Sequence, residues 1–84
     1  MESMIIESFD EFDFQNIKMP IITVYKNPTD FVGKYVARLF TLESATPYCI
    51  VKDSITEIYE DIPARFVRLE RHPSDDPKIV CTFI

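Results

Sequence analysis

His72, Asp75 and Asp76 are the one place in this chain where residue types and spacing suggest a reaction. An imidazole followed by two carboxylates offers donors for a divalent metal or for acid–base work. The same stretch, "HPSDDP", has a plainer reading. Pro73 and Pro77 restrict the backbone on either side, and Ser74, Asp75 and Asp76 are side chains that bond back onto a turn. The chain has no second histidine to extend a ligand set. A turn is therefore the expectation, and a small metal-dependent enzyme using this loop is the alternative.

Nucleophilic chemistry would fall to Cys49 or Cys81. Each sits inside an apolar run, "YCIV" and "IVCTFI", which points to buried thiols in strands, whereas a reactive thiolate needs an exposed, electropositive setting. Two cysteines are too few for a disulfide scaffold. The single glycine, Gly33, cannot build a phosphate-cradling loop. Arg65, Arg68 and Arg71 form a basic string, but on a strand Arg68 points away from the other two, so they make no single patch. No catalytic residue, metal site or cofactor is expected.

The remaining feature is "SFDEFDF", residues 8–14, where three phenylalanines are interleaved with three acids. The charge of the chain is concentrated around it. Residues 1–19 hold Glu2, Glu7, Asp10, Glu11 and Asp13 against Lys18, a net −4 of the total −5, while residues 20–84 hold nine acids and eight bases. A nearly neutral body behind an acidic leader lacks the basic face that nucleic acid requires. Two readings of the leader follow. As a hook, Phe9, Asp10, Glu11, Phe12, Asp13 and Phe14 would dock into a protein partner, one of basic character. As packing, the phenylalanines would cover an open sheet face while the acids stay in water, and a domain this small favours that use of so much apolar area. A third reading makes Met19 a natural start and the leader an appended piece.

Elements to position these residues can be read from period and punctuation. At 84 residues with 46% hydrophobic and 27% charged composition, the chain suits one small soluble domain with a modest core. No apolar run is long enough to span a bilayer, and the acidic start "MESMIIES" is unlike a secretory signal, so a cytoplasmic location without membrane association is expected. Strands are expected over 19–28, 34–42, 48–53, 64–72 and 78–84. Arg38 should face solvent, opposite Tyr35, Ala37 and Leu39. Val67 and Leu69 should face in, with Arg68 and Glu70 out. Between the third and fourth strands, Ser54 and Glu57 form a capping box, and Ile55, Ile58, Tyr59 and Ile62 share one helical face before Pro63 stops the helix. The leader stays open: Ser8 and Glu11 could cap a second helix, or "MIIES" could pair with a sheet edge. The fold class is α+β, a mostly antiparallel sheet in the order β-β-β-α-β-β with one short helix on one face. The leader (1–19) precedes a single α+β domain (20–84).

The segments "KYVARLF", "VKDSITEIYEDIP" and "FVRLERHPSDDPKIV" resemble a group of short bacterial proteins common in mobile elements and phages of Gram-positive bacteria. The resemblance covers residues 21–84; the leader departs from the group's usual start. It implies a small accessory protein and carries no activity or catalytic residue with it. A looser, topological likeness to HicB-type antitoxins rests on three strands followed by a helix opened by Asp53, Ser54 and Glu57. The combined expectation is a non-enzymatic protein-binding module, with an antitoxin or an inhibitor of a host defence enzyme as the alternative. Self-association through a sheet edge is also open.

Overall fold

In the computed structural model, residues 3–10, 12–74 and 76–84 are described. Six strands and one helix form an α+β fold: β1 (Met4–Ile5), β2 (Ile21–Lys26), β3 (Tyr35–Phe40), β4 (Ala45–Lys52), α1 (Ile55–Glu60), β5 (Arg68–Glu70) and β6 (Ile79–Phe83). They make a single sheet in the order β1-β4-β3-β2-β6-β5. Four of its pairings are antiparallel; the pairing of β1 with β4 is parallel. "MIIES" thus takes the sheet-edge option. No helix among the described residues is long and apolar enough to cross a membrane.

The strand ends follow local chemistry. β2 starts after Pro20, which has no N–H to give to a ladder, and Met19 just before it has φ 54°. It stops at Asn27, φ 49°, a residue type that tolerates the left-handed region. Asn27 Oδ1 accepts the Gly33 N–H at 2.8 Å, and Gly33 itself has φ 79°. The only glycine therefore stands where the turn needs one. The helix opens with the expected box: Ser54 Oγ accepts the Glu57 N–H while Glu57 Oε2 accepts the Ser54 N–H. At six residues it is too short to persist without packing.

Directly opposed residues share a face of a sheet, so the register separates the two sides. On one side lie Ile22 and Val24, Ala37 and Leu39, Ile50, Cys81 and Phe83. They form the core with Ile58 and Ile62 of the helical segment, Phe66 and Phe9. Ile58, Ala37 and Leu39 are where the spacing put them.

Two long connections cross this side. Residues 6–20 run from edge strand β1 over β4 and β3 to reach β2. The stretch from β4 to β5 carries α1, Ile62 and Phe66 toward the opposite edge. They meet where Asp61 C=O accepts the Phe9 N–H at 3.0 Å. A six-residue helix cannot cover a six-stranded sheet, and the leader supplies the rest of the covering layer. Leader and body share one core, with Phe9 fully buried inside it.

β5 departs from the expected strand over 64–72. Phe66 N–H bonds to Pro63 C=O in a turn, and the ladder with β6 holds from Val67 to Glu70. Its phase is also reversed. Arg68 and Glu70 lie opposite Phe83 and Cys81 on the core side, and the Arg68 guanidinium stands 5.2 Å over the Tyr59 ring. Val67 and Leu69 face the other side and are exposed. The cause is Phe66: it enters the core from the turn, and the next apolar residue is thereby sent to the opposite side.

Candidate functional site

The leader is built as one aromatic cluster. Phe9 lies 5.8 Å from Phe12 and 6.1 Å from Phe14, ring centre to ring centre, and Phe12 and Phe14 are 4.9 Å apart. Phe12 continues onto Tyr48 at 5.0 Å and Phe14 onto Phe66 at 5.3 Å. The Arg65 guanidinium lies over both Phe14 and Phe66, at 5.1 and 4.8 Å. Its flat, weakly hydrated cation roofs the cluster. Phe9 has no exposed surface, and Phe12 and Phe14 are half-buried. Asp10 and Asp13 stay in water; Asp13 Oδ1 accepts the Gln15 N–H at 2.9 Å. Glu11, and with it the second half of a Ser8 capping box, lies outside the described residues. Ser8 Oγ accepts the Asp10 N–H and donates to the Asp61 carbonyl.

The "HPSDDP" loop is organised by turn bonds. His72 Nδ1 accepts the Ser74 N–H at 3.1 Å, with Ser74 Oγ at 2.7 Å. Asp76 Oδ1 accepts the Lys78 N–H at 2.9 Å, and its carbonyl accepts the Ile79 N–H. Asp75 lies outside the described residues. Among the described residues no group of three or more His, Cys, Asp and Glu side chains comes together to hold a metal.

Cys49 and Cys81 are both fully buried and unbridged. Cys49 opposes Arg38 and Cys81 opposes Val24, so they point to opposite faces with two strands between them. Burial raises both thiols above their ordinary value; Arg38 pulls the other way on Cys49, as does the Tyr59 hydroxyl bond on Cys81. The arginine string is likewise divided: Arg65 lies on the aromatics and Arg68 pairs with Glu70 at 3.3 Å.

What the sequence did not single out is the side of the sheet that carries no helix. It presents Ile21, Thr23 and Tyr25, then Val36, Arg38 and Phe40, with Cys49 and Val51 beyond. Leu69 and Thr82 extend it on one side and Ile5 on the other. The 27–34 loop covers part of it: Asp30 pairs with Arg38, and Phe31 sits 5.9 Å from the same guanidinium. Between this loop and the β4 end is a cavity of about 290 Å³, lined by Ser3, Asp30, Arg38, Phe40, Ala45, Thr46 and Pro47. At the β5 end nothing described lies over the surface. Leu69, Val67 and Ile84 are 43%, 59% and 53% exposed. They run into a groove of about 460 Å³ formed by Met19, Pro20, Ile21, Arg65, Phe66, Val67 and Ile84. The sequence signal was available in the alternate residues Val67 and Leu69, once Phe66 is taken as the core residue.

Comparison with protein-family models, with curated proteins and with solved structures gives no match to this chain.

Proposed function

We infer that this chain is a non-enzymatic protein-binding module of the cytoplasm, and that it binds through the exposed β5 end of the helix-free side of its sheet. The carrying observation is that this side ends in exposed Val67, Leu69 and Ile84 beside an apolar groove. A half-solvated antiparallel sheet ordinarily alternates to polar residues on its wet face, and contiguous exposed apolar surface of this kind marks contact sites. The partner is a basic protein. The net charge is −5, and Glu7, Asp10 and Asp13 project from the leader. Such a field speeds encounter with a cationic surface, while the apolar groove holds it. Two free thiols suit a reducing compartment. The setting implied by the sequence resemblance is a bacterial or phage accessory gene. A second reading, an antitoxin or an inhibitor of a basic host enzyme, is favoured by the same projecting acids.

The test is capture from bacterial lysate with a photo-crosslinker placed at Val67, followed by identification of the captured protein. Met19→Asp with Ile84→Asp should abolish that capture, and Asp is tolerated at the left-handed backbone of Met19. Asp10→Lys with Asp13→Lys should weaken it mainly at low salt. Equal capture of the same protein by the groove variant would overturn the reading.

A further inference from the structure

We propose that this chain forms a symmetric dimer by pairing β5 with β5 of a second copy, joining two sheets edge to edge. The inference does not depend on the heterologous partner, because it rests on the outer edge of β5 rather than on the groove.

β5 is the last strand on its side of the sheet, and all three of its residues are exposed. Val67 and Ile84 exchange both backbone bonds, at 2.7 and 3.0 Å. Antiparallel ladders alternate, so the next residue to bond inward is Leu69, opposite Thr82. The N–H and C=O groups of Arg68 and Glu70 therefore point outward, where no described strand meets them. A sheet edge in this state is a template for another strand.

Charge selects the occupant and the register. Antiparallel pairing can use only registers that set the outward-facing residues 68 and 70 against each other or against their own copies. Centred on Leu69, the pairing places Arg68 opposite Glu70 of the second copy and Glu70 opposite its Arg68. Each such pair exchanges both backbone bonds. A slip to either neighbouring register sets Arg68 on Arg68 or Glu70 on Glu70, and directly opposed like charges are unfavourable. Charged residues on a short edge strand usually discourage pairing. Here their alternating sign excludes the wrong registers and leaves one. The Arg68–Glu70 contact within the strand, 3.3 Å, shows that the two side chains already reach one another's neighbourhood on the core side. On the open side Leu69 meets Leu69, which covers a side chain that is 43% exposed in the single copy. The interface is isologous and closed. It yields a continuous sheet of twelve strands, six from each copy, with both helices on one side and both apolar faces on the other.

The test measures mass in solution by light scattering and sedimentation over a range of concentrations. The expected wild-type species is twice 9.8 kDa. Arg68→Glu alone, or Glu70→Arg alone, places like charges opposite each other twice in the interface and should weaken the dimer at least about tenfold. The double exchange, Arg68→Glu with Glu70→Arg, should restore it. Leu69→Cys should close an intermolecular disulfide under mild oxidant, because opposed residues in such a pair approach closely, whereas Val67→Cys should not. A wild type of 9.8 kDa at every concentration, single variants as dimeric as wild type, or a folded double exchange that stays monomeric would each overturn the proposal. If a single variant fails to fold, the double exchange and the Leu69→Cys crosslink decide it.

Discussion

Replacing Phe9 by alanine separates a packed leader from a free one. Phe9 is fully buried, touches Phe12 and Phe14, and closes the gap between α1 and the sheet. Truncating a buried phenylalanine costs about 3–5 kcal/mol from lost transfer energy and the cavity left behind. A chain of 84 residues has a total stability of about 4–13 kcal/mol, so this one change removes about a quarter or more of it. For a domain of this size about 4–8 °C of Tm goes with each kcal/mol, which places the expected drop near 20 °C. Thermal and urea unfolding followed by circular dichroism measure it, with Asp10→Ala, exposed one residue away, as the control that should stay within about 0.5 kcal/mol of wild type. A Phe9→Ala Tm drop below about 4 °C would refute the account of the leader as half of the covering layer. A free arm would behave in that way.

Three further outcomes follow from the same structure. Gly33→Ala meets no atom within 4 Å but must hold φ near 79°, so it should lose about 1–2 kcal/mol through backbone strain alone, readable as a lower urea midpoint with unchanged slope. Ser54→Ala removes the acceptor for the Glu57 N–H and should lose about 1 kcal/mol in the same titration. Neither native thiol should react with an aromatic disulfide reagent until urea unfolds the chain, and stability should fall on the alkaline side. Burial raises Cys49, Cys81, Tyr25 and Tyr59 in the folded state, so the unfolded chain releases these protons first. The stabilisation is complete below the ordinary thiol value of 9.0 and is lost as pH rises through the folded values. A urea midpoint that stays flat to pH 11 would contradict this.

How much of this was legible in advance depended on whether a segment carried its own period. The helix was readable because Ser54, Glu57, Ile58 and Ile62 state a cap and a face within nine residues. β2 and β3 were readable in their alternation, and Arg38 stands opposite Tyr35, Ala37 and Leu39 as expected, although Asp30 and Phe31 of the 27–34 loop cover it in place of open solvent. β1 has two residues and no period to show, and its parallel pairing with β4 spans more than forty positions. In β5 the phase was misread because both sides of the strand carry apolar matter: Phe66 precedes it in the core, and the Arg68 stem and guanidinium lie over Tyr59. For the leader, composition supplied both readings; only the crossing from β1 over β4 and β3 to β2 decides which surface its phenylalanines meet. The exposed patch at Val67, Leu69 and Ile84 was hidden for the same reason as the β5 phase.

The two crossing connections also set the tempo of folding. β1 needs β4, β2 needs β6, and Phe9 needs Asp61, so the two edges of the sheet and the cover of its core all depend on contacts distant in the chain. β2, β3 and β4 pair through short connections, but the entropy of closing the long loops must be met before β1 and β6 join them and the covering layer is complete. The chain should consequently fold slowly for its size, in a single concerted step. Its aromatic leader then spends that interval in water, and an early encounter with another unfolded copy is the principal hazard on the way to the native state.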